Sequence, residues 1–348
     1  MILPHDPTTL MFLMILSLVC LGSWANFCKL AGKWRFELFC FDFALGLLAV
    51  ALILAFTAGN LGFDGFNFRD DFMNAGKRQW LFAFLGGVIF NLANMLMIAA
   101  VSVAGIALTF PVGFGVAFIV GSAVSYVTGP GVSPAFLFGG CALLALAVIL
   151  NCSAFSRMGV LRHENQARAG TAKSTRRPSS MQGIILAILG GVLMGTFSPL
   201  LKNAQVAEIG LGPYSLMAIF GMAVLFSTFV FNLFLMNLPI EGDPLEFTDY
   251  LKGSMSQHAM GAIGGGLWAL GATAALVATT LKGDTHLPQM TVDLLSQSAP
   301  LLAALFGLLV WREYRGADLR VKLTTVLMLL IFAGGVAAIS LASFYTRT

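Results

Sequence analysis

Ten apolar runs, each long enough to cross a lipid bilayer, take up most of this chain and constrain its fold more tightly than any other feature. A helix needs about 20 mainly apolar residues to span a hydrocarbon core of roughly 30 Å. The runs extend approximately from Leu10 to Leu30, Phe36 to Ala58, Gln79 to Val101, Gly105 to Val127, Ser133 to Phe155, Met181 to Asn203, Leu211 to Leu238, His258 to Leu281, Leu287 to Trp311 and Val321 to Phe344. Hydrophobic residues make up 58% of the chain and charged residues 10%, with a mean hydropathy of +0.86. Those values exclude an ordinary soluble domain. The alternating polarity of a membrane β-barrel is absent, so the runs predict an all-α integral membrane protein with ten transmembrane helices.

The start, MILPHDPTTL, has no Lys or Arg, and the apolar run that follows exceeds signal-peptide length, so the first run is read as a retained helix. Cys20, Cys28, Cys40, Cys141 and Cys152 fall in or beside the spans without paired metal spacing, and they read as small packing residues. His5, His163, His258 and His286 are scattered, giving neither a two-His metal motif nor a triad. Neither G-x-S-x-G nor H-E-x-x-H occurs. The expectation is therefore no enzyme, no catalytic residue, no metal site and no cofactor.

Cationic residues favour cytoplasmic loops. With the N-terminus outside, the cytoplasmic segments hold 14 of the 20 Lys and Arg residues: Lys29, Lys33, Arg35, Arg157, Arg162, Arg168, Lys173, Arg176, Arg177, Lys252, Arg312, Arg315, Arg320 and Lys322. Both termini are thus expected outside the cytoplasm, in a plasma (inner) membrane. This topology accounts for the basic pI near 8.9 without a nucleic-acid partner. Residues 156–180, SRMGVLRHENQARAGTAKSTRRPSS, form a basic cytoplasmic linker between residues 1–155 and 181–348. A phosphate-binding loop needs G-x-x-x-x-G-K-[ST], and the TAKS stretch lacks its glycines.

The two segments flanking the linker resemble each other. LGSWANFCKLAG from position 21 lies over MGTFSPLLKNAQ from position 194, so that Gly22, Ser23, Trp24 and Lys29 match Gly195, Thr196, Phe197 and Lys202 at an offset of 173. LGGVIFNLAN from Leu85 lies over IGGGLWALGA from Ile263, matching Phe90 to Trp268 at an offset of 178. LTFPVGFG around Pro111 resembles SQSAPLLAALFG around Pro300. Each half holds five spans, an odd number, so the second half enters the membrane from the opposite side. Two inverted five-helix repeats are the plan of many secondary transporters, whose sites lie near the midplane between the halves.

Candidate site residues follow from polarity inside the spans. Ser23 and Thr196 offer hydroxyls, and Trp24 and Trp268 offer flat faces with an indole N–H. Small residues also let membrane helices pack closely, and both readings stay open for Ser23 and Trp24. Asn91 and Asn94 share a helix face and could read a polar solute or link helices. Asp293 precedes Gln297 by one turn in TVDLLSQSAPLL, roughly 7 Å into its helix at about 1.5 Å per residue. It is the first candidate for a coupling proton and Asp42 the second, since ionisable residues in spans are costly and default to function. Lys29 and Lys202 read as interfacial anchors. Glu313, flanked by Arg312 and Arg315, reads as part of a solvated ion-pair cluster. The nearly featureless fifth and tenth runs suit peripheral packing or a homodimer contact.

The five-plus-five plan, the Gly-Ser-Trp step, VLMGTFSPLL, LGPYSLMAIFG and QSAPLLAALFGLLVWREYRG resemble the drug/metabolite transporter superfamily. Within it they are most similar to the ureide permease branch and the neighbouring glucose/ribose/rhamnose porters. The resemblance implies a ten-helix inverted-repeat fold and secondary transport, often proton-coupled, of a small polar solute such as a ureide, a nucleobase or a sugar. Its plant members are usually drawn with both termini outside and a long central loop bearing a Walker-type motif, whereas the linker here is short and lacks one. The expected partners are a small-molecule substrate, a coupling proton and membrane lipids. The rivals are a sugar porter, an exporter of lipophilic cations or metabolites, and a membrane solute receptor.

Overall fold

A computed structural model describes residues 1–62, 64–128, 132–168, 180–205, 210–280 and 286–345, with the side chains of 128, 180, 286–293, 343 and 344 outside the described residues. Thirteen α-helices are present among them and no strand: α1 Pro7–Ser23, α2 Asn26–Leu30, α3 Phe36–Phe56, α4 Phe68–Asn74, α5 Lys77–Ala104, α6 Ile106–Thr128, α7 Pro134–Arg168, α8 Ser180–Gln205, α9 Pro213–Asn237, α10 Phe247–Leu251, α11 Met255–Ala278, α12 His286–Leu305 and α13 Leu319–Phe344. A π-helical turn, Phe306–Val310, extends α12.

The ends of these helices follow local chemistry. The Asp6 carboxylate accepts the Thr9 backbone N–H at 2.8 Å with Pro7 in the first turn, Ser254 and Gln257 cap α11 reciprocally, and Asp318 accepts the Val321 N–H at 2.8 Å to start α13. Gly105, with φ +88°, breaks α5 from α6 where no other residue would turn the chain without strain.

Among the described residues, nine helices are long and apolar enough to cross a membrane: α1 continued by α2, then α3, α5, α6, α7, α8, α9, α11 and α13. Within the ninth run read from the sequence, the apolar helix among the described residues is the shorter Leu294–Val310. Large apolar side chains such as Phe12, Ile53, Ile149, Val230 and Leu330 are exposed on the outside of the bundle. In water such a surface would aggregate, and in lipid it is the ordinary outer face. The protein is a multi-pass membrane protein.

Inside, α5 packs on α8 and α9, α11 on α1 and α3, α8 on α6, and α12 on α1. Contacts of α3 with α9 and of α6 with α12 join the centre, while α7 and α13 pair at the side and touch α6 and α12 respectively. Close approach depends on absent side chains. A Cβ on Gly265 would strike the Phe43 carbonyl and one on Gly46 the Ala262 backbone, so α3 and α11 meet almost backbone to backbone. Pro111 within α6 cannot donate to the Ala107 carbonyl. Buried Asn151 of α7 repairs the loss by donating to the carbonyls of Ala107 and Leu108, both at 3.2 Å.

Candidate functional site

Between α6, α8, α11 and α12 lies a cavity of about 450 Å³, at the end of the bundle where α8 and α11 finish. Phe114, Phe118 and Phe197 give it an aromatic wall. Ser122, Ser125, Ser198, Thr279, Ser296, Gln205 and Gln297 give it polar groups, and Lys202 is its only ionisable side chain among the described residues. Two prolines shape the lining. Pro199 has no N–H for the Gly195 carbonyl and Pro300 none for the Ser296 carbonyl, and both Gly195 and Ser296 border the cavity. The side-chain oxygens of Ser296 and Gln297 are sealed from solvent without a hydrogen-bond partner among the described residues.

The residues singled out from the sequence do not all meet there. Gln297 borders the cavity, and Thr196 lies between two residues that do, Gly195 and Phe197, with its hydroxyl donating to the Leu193 carbonyl at 2.7 Å. Trp268 is buried one layer away, stacked on Phe220 with ring centres 5.5 Å apart and against Phe90 at 4.1 Å. Phe90 in turn touches Phe197 at 5.4 Å, which connects the tryptophan to the wall. Trp24 is enclosed by Phe43 at 5.2 Å and Phe110 at 5.9 Å. Ser23 donates to the Cys20 carbonyl at 3.5 Å. Asn91 is fully engaged: its amide donates to the Val224 carbonyl at 3.1 Å, the Ser227 hydroxyl at 2.8 Å and the Thr228 hydroxyl at 3.0 Å, tying α5 to α9. Asn94 is buried, and its side-chain oxygen has no partner among the described residues. The side chain of Asp293 lies outside the described residues.

Asp42 stands at the opposite end, near the start of α3. Its carboxylate accepts the Tyr250 hydroxyl at 2.6 Å and the Trp34 indole N–H at 3.3 Å, and it lies 2.9 Å from His258 Nδ1. Burial, and then the Asp42 carboxylate, push the Tyr250 phenol above its ordinary range. This cluster joins α3, α10 and α11, and no part of it touches the cavity.

At that same end is a basic vestibule of about 680 Å³, lined by Lys29, Lys33, Arg35 and Arg162 with Glu241 and Glu313. Between it and the core, Lys29 forms an ion pair with Glu313. The Glu313 carboxylate also accepts the backbone N–H groups of Ile106 at 2.9 Å and Ala107 at 2.7 Å, and its backbone carbonyl accepts the Arg162 guanidinium. Glu313 is therefore only 10% exposed at its side chain, where the flanking arginines suggested a solvated carboxylate. Neighbouring Tyr314 has its phenol raised by burial and secondarily by Glu313.

The cavity serines escaped the sequence reading because Ser within apolar spans is common. Their only signal was pairing: Ser122 with Ser125 at helical spacing, and Ser198 and Ser296 close to in-helix prolines.

No family model matches this chain. It is similar to ureide permease 4 of Arabidopsis thaliana, 24% identical in an alignment covering 96% of this chain and 97% of that one. A solved crystal structure resembles it with a TM-score of 0.53 over 97% of this chain and 99% of that one, at 15% identity, a likeness of fold.

Proposed function

We propose that this protein is a secondary transporter that carries a small polar solute of ureide or nucleobase type across the membrane by alternating access. The observation that carries the proposal is a pair of separate cavities between the helices: a polar-lined one of about 450 Å³ reaches one end, a basic vestibule of about 680 Å³ reaches the other, and the two share no lining residue among the described ones. The similarity to ureide permease 4 supports the solute class.

Support for an inverted repeat comes from the packing. Exchanging α1, α3, α5, α6 and α7 with α8, α9, α11, α12 and α13 turns each principal contact into another one: α5 with α8 becomes α11 with α1, α3 with α11 becomes α9 with α5, and α6 with α8 becomes α12 with α1. The contacts of α3 with α9, α6 with α12 and α7 with α13 map onto themselves. Two such halves can rock about a shared site. With both termini outside, as the distribution of Lys and Arg argues, the polar-lined cavity faces outward and the basic vestibule lies toward the cytoplasm.

In this reading the polar edge of the solute meets Gln297 and the cavity hydroxyls, and its ring face meets Phe114 and Phe197, whose backing includes Trp268 and Trp24. Thr196 and Ser23 set the helix approach near the site, and Asn94 contributes from α5. Asp293, one turn before Gln297 on α12, is the carboxylate we assign to the coupling proton, with Asp42 as the second. A homodimer contact, if the protein forms one, belongs to the outer faces of α7 and α13.

Replacing Gln297 with Leu tests the site. Loss of one neutral hydrogen bond, about 0.5–1.5 kcal/mol, raises KM for the solute about threefold to tenfold. An unchanged KM in a folded variant removes Gln297 from the site.

A further inference from the structure

We propose that Glu313 is a latch at the vestibule end of the bundle, and that its release is the step that joins the vestibule to the central site. The inference rests on the alternating-access reading. One carboxylate joins three segments: Lys29 comes from α2, Ile106 and Ala107 from the start of α6, and Glu313 itself from the turn between α12 and α13. The first two belong to the N-terminal half of the chain and the third to the C-terminal half, so the contact joins the two halves, as most of the helix packing does.

The local backbone is built around this carboxylate. Oε1 and Oε2 each accept an N–H from the first turn of α6, where the helix dipole favours a negative charge. Burying a carboxylate costs several kcal/mol unless it is paired and hydrogen-bonded, and here Lys29 and the two N–H groups supply that compensation. Space is kept by two glycines: a Cβ on Gly105 would lie 2.7 Å from the Glu313 carboxyl carbon, and one on Gly307 would lie 2.9 Å from Oε2. The π-helical turn at Phe306–Val310 and a left-handed Arg312, with φ +50°, place Glu313 at this corner. Both features cost energy and collect where a protein switches. The Trp311 indole donates to Asn26 at 2.7 Å and Lys29 lies 5.4 Å above its ring, which adds a second fastening beside the ion pair.

Among the described residues the cavity end shows no such arrangement. Lys202 corresponds to Lys29 at the offset of 173 in the sequence alignment of the halves, borders the cavity, and has no carboxylate partner among the described residues.

The test uses maleimide labelling of purified full-length protein in detergent, with the five native cysteines replaced and one reporter at a time. Ser125→Cys reports the cavity, and Ser23→Cys reports the half-buried last turn of α1, six residues before Lys29. Glu313→Gln is expected to slow labelling at 125 and speed labelling at 23 by fivefold or more. Lys29→Ala, which leaves the α6 contacts of Glu313 in place, shifts both rates in the same direction by less. The exchange Lys29→Glu with Glu313→Lys does not restore the original rates, because a lysine cannot accept the N–H groups of Ile106 and Ala107. Unchanged rates in folded Glu313→Gln, or restoration by the exchange, overturn the latch. If Glu313→Gln does not fold, unchanged rates in Lys29→Ala overturn it. Labelling needs no solute, so a shift in a protein that moves no solute counts against the transport reading and not against the latch.

Discussion

Replacing Asn91 with Leu separates a ligand role from a structural one, because the two amides on α5 were equivalent in the sequence and are not equivalent in the fold. The Asn91 nitrogen has two hydrogens and three acceptors within 3.1 Å, all on α9, so two strong bonds are its limit. The acceptors stay satisfied without it. Ser227 donates to the Ala223 carbonyl at 2.7 Å and Thr228 to the Val224 carbonyl at 2.8 Å, so no buried donor is orphaned. Interhelical bonds in membranes average about 0.6 kcal/mol, and two of them put the loss near 1 kcal/mol, with Leu keeping the branched shape of Asn at a somewhat larger volume. The expected result is a fall of a few degrees in the thermal midpoint, followed by size-exclusion fluorescence in detergent, with KM for the solute unchanged. A variant that keeps its midpoint and loses solute affinity would show Asn91 to be a ligand and refute this assignment.

Gly265→Ala should cost about 3 kcal/mol, the upper end of overpacking, since the clash is with the Phe43 carbonyl and a backbone cannot rotate away, whereas Gly139→Ala, with nothing near its Cβ, should be neutral or stabilising; equal midpoints for the two would contradict the close approach of α3 and α11. Asp71, in α4 outside the spans, has its carboxyl raised mainly by burial while it accepts the Gly212 N–H at 2.9 Å. A raised native value means the folded state holds the proton more tightly, so this group's contribution to stability falls as pH rises from about 4 through the raised value. Asp71→Asn keeps an acceptor for Gly212 and should flatten that fall, measured as the thermal midpoint between pH 4 and pH 7; a variant clearly less stable than the parent at pH 7 would count against it.

The sequence carried the spans well because lipid demands long apolar runs whatever the tertiary fold, and α3, α5, α6 and α11 fall close to their expected positions. The ninth run, Leu287 to Trp311, matches α12 together with its π-helical turn, so Pro300 did not end the helix. Site chemistry was legible only in part. Gln297 stood out as polar among apolar neighbours, but nothing local announces that Trp24 is walled in by Phe43 and Phe110. Asp42 was visible as a carboxylate in a span, while two of its partners, Tyr250 and His258, lie 208 and 216 residues away. Glu313 was misjudged for the same reason: its charged neighbours in sequence suggest water, and its neighbours in space are Lys29 and the first turn of α6.

Solute counterflow into proteoliposomes tests transport most directly. Purified protein would be offered labelled allantoin, uracil, ribose, glucose and rhamnose, each with and without an imposed pH gradient. Saturable counterflow of allantoin or uracil, increased by the gradient and weakened by Gln297→Leu, is the predicted result. Binding of those solutes in detergent with no counterflow would make the protein a receptor, and counterflow of a sugar alone would contradict the ureide reading.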